Sequence, residues 1–248
     1  MAHFYLDESL ALSGASAGDE LALTGPDARH AVTVARLRAG ERVRVGDGDG
    51  TIALGVVVEA DPERVALRLE SVDAHPEPST RLTLVQALAK GDRDELAVQA
   101  ATELGVDAIM PWQAARSVSI WKGPKAEKGR ARWQTIVREA SKQAIRPRVP
   151  RVSPIATTRE LVARAGEQGV TALVLEPTAG ERLTSLDVAA LGGDVLLVVG
   201  PEGGVSPEEL AALTAAGARA VRLGDTVLRT STAGPAAISV LAARLGRW

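Results

Sequence analysis

The chain has 248 residues, 46% hydrophobic and 24% charged, with a formal net charge of −2, the profile of an ordinary globular protein long enough for one large domain or two smaller ones. Zero cysteines exclude disulfides, thiolate metal sites and cysteine nucleophiles, and fit a reducing compartment. The overall charge decides nothing about nucleic acid, and no apolar run approaches the ~18 residues of a membrane span. The opening Met1-Ala2-His3-Phe4-Tyr5-Leu6-Asp7-Glu8 lacks the basic and long apolar regions of a signal peptide, so a cytoplasmic location and no membrane partner are expected.

Residues 1–73 read as a β-rich domain. Short β-branched pieces at 21–23, 42–45, 52–58 and 65–69 are punctuated by Gly and Asp clusters such as Gly46-Asp47-Gly48-Asp49-Gly50, the pattern of hairpins in a small barrel. One helix is predicted over 26–37, carrying His30. The polar stretch Asp73-Ala74-His75-Pro76-Glu77-Pro78-Ser79 cannot continue a strand or a helix and marks the domain boundary.

From residue 74 to 248 the pattern alternates. Strands are predicted at 82–87, 106–110, 172–175, 195–199 and 218–223, and helices at 92–104, 126–145, 157–165, from Ser206 onward, and 235–245. Such alternation implies an α/β domain with a parallel sheet covered on both faces. Between 116 and 151 the cations are Arg116, Lys122, Lys125, Lys128, Arg130, Arg132, Arg138, Lys142, Arg146, Arg148 and Arg151, opposed only by Glu127 and Glu139. A basic patch on a near-neutral chain is a footprint for a phosphate backbone, although charge runs are more often a solvated helix face. Trp112, Trp121 and Trp133 lie among these cations and could stack on unpaired bases, with Trp133 the better candidate for core.

Two strands near the end of the chain each run into a glycine-bearing loop with a helix behind it. The first loop is Gly200-Pro201-Glu202-Gly203-Gly204, followed by Ser206-Pro207-Glu208-Glu209, where Ser206 suits an N-cap and Glu209 a capping box. The second runs from Gly224 to Gly234 and holds Arg229 among Thr230, Ser231 and Thr232. Ligands of open α/β sheets collect at such strand ends, and a guanidinium there can hold an anion or a developing oxyanion. Neither loop is a P-loop or a G-x-G-x-x-G fingerprint. Metal ligation and a serine triad find no support, because the three histidines all precede residue 76 and there is no G-x-S-x-G. These residues alone indicate an α/β protein with a nucleotide-like ligand and a candidate RNA surface.

Ordered blocks along the chain resemble the RsmE family, the 16S ribosomal RNA uridine-N3 methyltransferases of the SPOUT class. At the C-terminal end these are Leu197 to Gly204 with the following Ser-x-x-Glu, then Leu223-Gly224, Val227-Leu228-Arg229-Thr230 and Thr232-Ala233. In the middle they are Ala101 to Val106, Ile109, Pro111, Arg116-Ser117-Val118, Arg132-Trp133, Glu139-Ala140, Gln143, Arg146 and Val149-Pro150. His30, Arg36-Leu37-Arg38, Gly40 and Asp47-Gly48 are similar to the family's N-terminal domain. The family commonly has Glu after Arg-Thr, where this chain has Ser231.

The resemblance implies an N-terminal PUA-like β-barrel and a SPOUT domain with a trefoil knot over about 171–235. It implies S-adenosyl-L-methionine, without a metal, at Leu175, Glu176, Val199, Gly200, Glu202, Gly203, Leu223, Gly224, Val227 and Leu228. Arg229 is then the expected catalytic residue. His30, Arg36, Arg38, Arg116, Arg132, Lys142 and Arg146 are expected on RNA. The partners implied are 16S rRNA or the small ribosomal subunit and a second copy of the chain. The rival readings are a SPOUT enzyme acting on another RNA, a nucleotide-dependent α/β oxidoreductase, and a non-enzymatic RNA-binding module.

Overall fold

The computed structural model describes residues 3–191 and 193–248, so the Met1-Ala2 start of the signal-peptide reading lies outside the described residues. The chain divides into two compact units, Met1–Glu77 with Ser141–Val149, and Pro78–Ala140 with Pro150–Trp248.

The first unit contains β1 (His3–Leu6), β2 (Glu20–Thr24), α1 (Gly25–Thr33), β3 (Arg42–Gly46), β4 (Thr51–Ala60) and β5 (Arg64–Ala74) in one sheet of order β1-β3-β4-β5-β2. All neighbours are antiparallel except β1 and β3. Alternate residues of β4, from Thr51 to Val57, turn inward, and Tyr5, Leu23, Val43, Val45, Val57 and Leu67 close over Ala28 and Ala31 of α1. The Gly-Asp cluster makes the β3–β4 turn, where Asp47 Oδ1 accepts the amides of Asp49 (2.8 Å) and Thr51 (3.0 Å). Helix α1 stops four residues short of the predicted 37. Arg36 adopts a left-handed φ of 56°, and the Leu37 amide bonds back to the Ala31 carbonyl at 2.9 Å, which buries Leu37. Sequence reading missed β1, whose parallel partner lies some forty residues away and leaves no local turn signal.

The second unit contains β6 (Thr80–Ala87), α2 (Arg93–Glu103), β7 (Ala108–Gln113), α3 (Pro124–Gln143, its last three residues belonging to the first unit), β8 (Arg151–Val152), β9 (Ala156–Thr157), α4 (Thr158–Ala165), β10 (Val170–Leu175), β11 (Glu181–Arg182), β12 (Gly193–Val199), α5 (Pro207–Ala215), β13 (Arg219–Arg222) and α6 (Thr230–Arg244). Every pairing in its sheet is parallel, in the order β11-β13-β10-β12-β6-β7-β8, with β9 also on β7. Leu82–Ala87 and Val195–Val199 are buried at every position. Helices on both faces explain why these strands read as continuous apolar runs and not as alternation.

Several predicted boundaries move, α3 from 126–145 to 124–143 and β10 from 172–175 to 170–175 among them. The strand expected at 106–110 begins at Ala108, because Gly105 turns at φ 96° and Val106 spends its amide on Ala101 to close α2. Helix α6 begins at Thr230, with Pro235 inside it. A proline at the sixth helical position forfeits one hydrogen bond, while the Arg229 carbonyl already anchors the first turn by accepting the amides of Thr232 (2.8 Å) and Ala233 (3.0 Å). Gly234 lets this turn lie against the sheet, since a Cβ there would stand 2.7 Å from Leu84 Cδ1. The two-residue strands β8, β9 and β11 are too short to leave a sequence signature.

Candidate functional site

Strands β13, β10 and β12 are adjacent and parallel, so their carboxyl ends meet on one edge of the sheet. The loops that leave them enclose a cavity of about 420 Å³, within the range of small-molecule sites. Leu175 and Glu176 contribute from β10, and Val199, Gly200 and Glu202 from β12. Leu223, Gly224, Val227 and Leu228 follow from β13, with Arg229 beside them. Gly203 is the loop position that does not line the cavity. Its carbonyl accepts Arg116 at 2.8 Å, and a Cβ on it would meet the Arg116 side chain at 3.3 Å.

Local chemistry shapes these loops. Gly200 admits no side chain, because a Cβ would lie 2.9 Å from the Val205 amide where the loop doubles back. The Ser206–Glu209 capping box forms as the sequence predicts, with Ser206 Oγ accepting the Glu209 amide at 3.2 Å and Glu209 Oε2 accepting the Ser206 amide at 3.1 Å. Glu209 is nearly buried, and its other oxygen accepts the Ala115 amide and the Thr158 hydroxyl, both at 2.8 Å. One carboxylate thus anchors the start of α5, the loop after β7 and the start of α4.

The cavity carries charge that local sequence did not show. Arg93, from the start of α2, lines it and binds Glu202 Oε1 at 2.9 Å; the Lys90 amide reaches the same oxygen at 3.0 Å. Burial pulls the Glu202 carboxyl upward, but the amides of Glu202 and Lys90 and the Arg93 guanidinium together carry it below the ordinary carboxylate value. Arg222 also lines the cavity, with its Nε buried and unpartnered and its Nη1 3.3 Å from Asp225. Arg229 is the exposed N-cap residue of α6 and lines the cavity. The result is an apolar wall of Leu175, Val199, Leu223, Val227 and Leu228 with guanidinium and carboxylate groups at its rim. Arg93 was missed because nothing in its spacing ties it to loops that lie elsewhere in the chain, and Arg222, the residue directly before Leu223, because it was read as part of a strand.

Much of the basic segment 116–151 is committed to protein partners. Arg132 grips Glu95 with contacts of 2.9 to 3.3 Å, and Lys142 binds Asp27 at 2.9 Å while lying 5.8 Å from the centre of the Tyr5 ring. Arg148 binds the carbonyls of Asp49 and His75, Arg130 that of Val152, and Arg116 that of Gly203. Arg146 is half-buried just after Ile145, which takes φ 54° at the end of α3. Trp112 and Trp133 are fully buried and so cannot stack on bases; Trp121 packs edge-on against Trp133 at 5.2 Å. His30, Arg36 and Arg38 are exposed on the first unit, His30 edge-on to Tyr5. Lys122, Lys125 and Lys128 are exposed and make no ion pair among the described residues.

Residues 75–242 match an RNA methyltransferase domain, and residues 23–70 an RNA methyltransferase PUA domain. The chain is 46% identical over 250 residues to the "Ribosomal RNA small subunit methyltransferase E" of Mycobacterium bovis, covering 99% of this chain and 92% of that one. It is 32% identical to the protein of the same name in Bacillus subtilis, covering 88% of each. Among solved structures, the ribosomal RNA small subunit methyltransferase E of Neisseria gonorrhoeae bound to S-adenosyl methionine superposes with a TM-score of 0.84 at 32% identity, over 98% of both chains.

Proposed function

The chain belongs to the family of ribosomal RNA small subunit methyltransferases E, and on that premise we propose that it moves the methyl group of S-adenosylmethionine to N3 of a uridine in 16S ribosomal RNA. The observation that carries this reading is the convergence of the three strand-end loops and Arg229 on one cavity. The residues present suit the cofactor. Apolar side chains can enclose a flat base and a thioether, turn amides can meet its polar edges, and the rim offers partners for an amino acid's ammonium and carboxylate. The knot belongs to this proposal, since it would bring these loops together around the cofactor.

The bound cofactor supplies an electrophilic methyl group. Uridine N3 would first give its imide proton to water, the negative charge left on the imide spreading onto the flanking carbonyl oxygens, and would then take the methyl group as its bond to sulfur breaks, leaving a neutral thioether. Arg229 stabilises that charge and orients the base, an electrostatic and positional contribution. The target base must be unpaired or flipped to present N3.

We place RNA on the exposed His30, Arg36 and Arg38 of the first unit and on Lys122, Lys125 and Lys128 at and just before the start of α3, which make no ion pair among the described residues. Arg116, Arg132, Lys142 and Arg146 keep the RNA role only in so far as their protein partners release them. The proposal includes a homodimer, for which Leu96 of α2 supplies an exposed apolar side chain, and the small subunit as substrate. It also includes a cytoplasmic location, to which the absence of a helix long and apolar enough to cross a membrane among the described residues raises no objection.

Calorimetric titration with S-adenosylmethionine, followed by methyl transfer to 16S rRNA and nucleoside analysis, tests the reading. Micromolar binding and the appearance of N3-methyluridine are expected. A product methylated at another atom, or heat with NAD in place of S-adenosylmethionine, refutes it.

A further inference from the structure

Gln86, at the end of β6, is fully buried, and its side-chain nitrogen donates to two acceptors, the Ala87 carbonyl at 3.1 Å and Thr230 Oγ1 at 2.9 Å. Thr230 Oγ1 in turn lies 2.9 Å from the Gly200 carbonyl. A carbonyl can only accept, so the single hydroxyl proton of Thr230 must go to Gly200, and Thr230 must accept from Gln86. The amide orientation is fixed a second time by the Ala87 carbonyl. The chain of bonds therefore runs one way, from Gln86 through Thr230 to Gly200.

This arrangement is costly. Gln86 Oε1 is buried without a partner, and a buried acceptor left unpaired loses its hydration for no return. An apolar side chain of similar size would avoid that loss. What the glutamine provides is a donor aimed at Thr230 in the first turn of α6, directly after Arg229. Gly200 and Thr230 both line the cavity, at the ends of two different loops. Gly234 closes the same turn onto Leu84 of β6, so the start of α6 is held by hydroxyl, amide and packing together.

We propose that Gln86 and Thr230 are positioning residues of this site: their one-way chain locks the first turn of α6 to the end of β12 and so sets where Arg229 stands in the cavity. The inference rests on the proposed methyl transfer and deepens it. Neither residue touches the reacting atoms in this account. Each acts through Arg229 and the Gly200 loop.

The test is single-turnover methyl transfer with S-adenosylmethionine and 16S rRNA both saturating, alongside cofactor affinity by calorimetry and thermal unfolding. Thr230→Val and Gln86→Met are each expected to slow transfer by about tenfold or more, since small misplacements of a catalytic group are expensive. The cofactor dissociation constant should change by less than the rate. Thr230→Ser, which keeps the hydroxyl, should recover transfer to within about threefold, and the double variant should lose far less than the product of the single losses, because both break one chain. Wild-type rates in Thr230→Val, a Thr230→Ser as slow as the valine variant, or additive losses each overturn the positioning role. Should Thr230→Val fail to fold, Gln86→Met decides, because it leaves the Thr230–Gly200 bond in place. A wild-type chain that transfers no methyl group overturns the proposed function and this role with it, whereas an active wild type with insensitive variants overturns this role alone.

Discussion

The loops after β12 and β13 and the basic stretch 116–151 are both dense in chemistry-bearing residues, yet the protein treats them in opposite ways. In the loops, glycines and turn amides shape a cavity, and the Arg229 side chain, unlike its carbonyl, makes no hydrogen bond or ion pair among the described residues. In the basic stretch most long cationic side chains are engaged. Arg132 answers Glu95, Lys142 answers Asp27, and Arg116, Arg130 and Arg148 hold backbone carbonyls. A local excess of charge therefore overstates what is free to meet a ligand. Lys122, Lys125, Lys128 and Arg151, whose side chains make no ion pair among the described residues, are what remains of it.

The sharpest way to break this contrast is Arg229→Ala. Loss of one such charge-stabilising donor should lower single-turnover transfer by about 10²- to 10³-fold while cofactor affinity stays within about threefold; an unchanged rate would return Arg229 to the structural side. Lys142→Met tests the other half. It leaves Asp27, only 18% exposed, without its cation, and should cost about 2 kcal/mol of unfolding free energy, read by chemical denaturation. RNA affinity of the folded protein should hardly change.

Neutralising Lys122, Lys125 and Lys128 together should do the reverse. Stability should stay within about 0.5 kcal/mol, while RNA affinity drops and the slope of log K against log salt shrinks by about two to three. The smallest effect concerns acid. Because the folded protein holds the Glu202 carboxyl below its ordinary value, its contribution is complete above that value and is lost as pH falls through the lowered one. Glu202→Gln should remove about a few tenths of a kcal/mol of this acid dependence, the pair with Arg93 being partly solvated. A steeper acid loss in the variant would show that another carboxyl carries the effect.

The same contrast explains how far the residues could be read without coordinates. The Ser206–Glu209 capping box, the α4 start just after its N-cap Thr157 and the buried runs in β6 and β12 are local patterns, and they appear within a residue or two of where residue order places them. The strand-end glycines were legible for the same reason; the ten cofactor positions came from the family resemblance, and nine of them line the cavity, Gly203 being turned toward Arg116. What escaped depends on distance along the chain. Glu202 and Arg93 are 109 positions apart, Lys142 and Asp27 are 115, and Gln86 and Thr230 are 144. No periodicity joins such pairs; only the fold does. Helix α6 was read too short for a different reason, since Pro235 reads as a start, and only the packing of Gly234 on Leu84 shows the helix running through it.

The sheet order has a consequence for the order of synthesis. Strands β6 and β12 are neighbours in the middle of the sheet, register-paired from Thr80↔Gly193 to Val199↔Gln86. At ribosomal rates of about 5–20 residues per second, β6 waits roughly 6 to 20 s for its partner. Throughout that interval its apolar edge is an open template on a growing polypeptide. For this protein the hazard of aggregation is therefore concentrated on nascent chains that have passed Ala87 and not yet reached Val199.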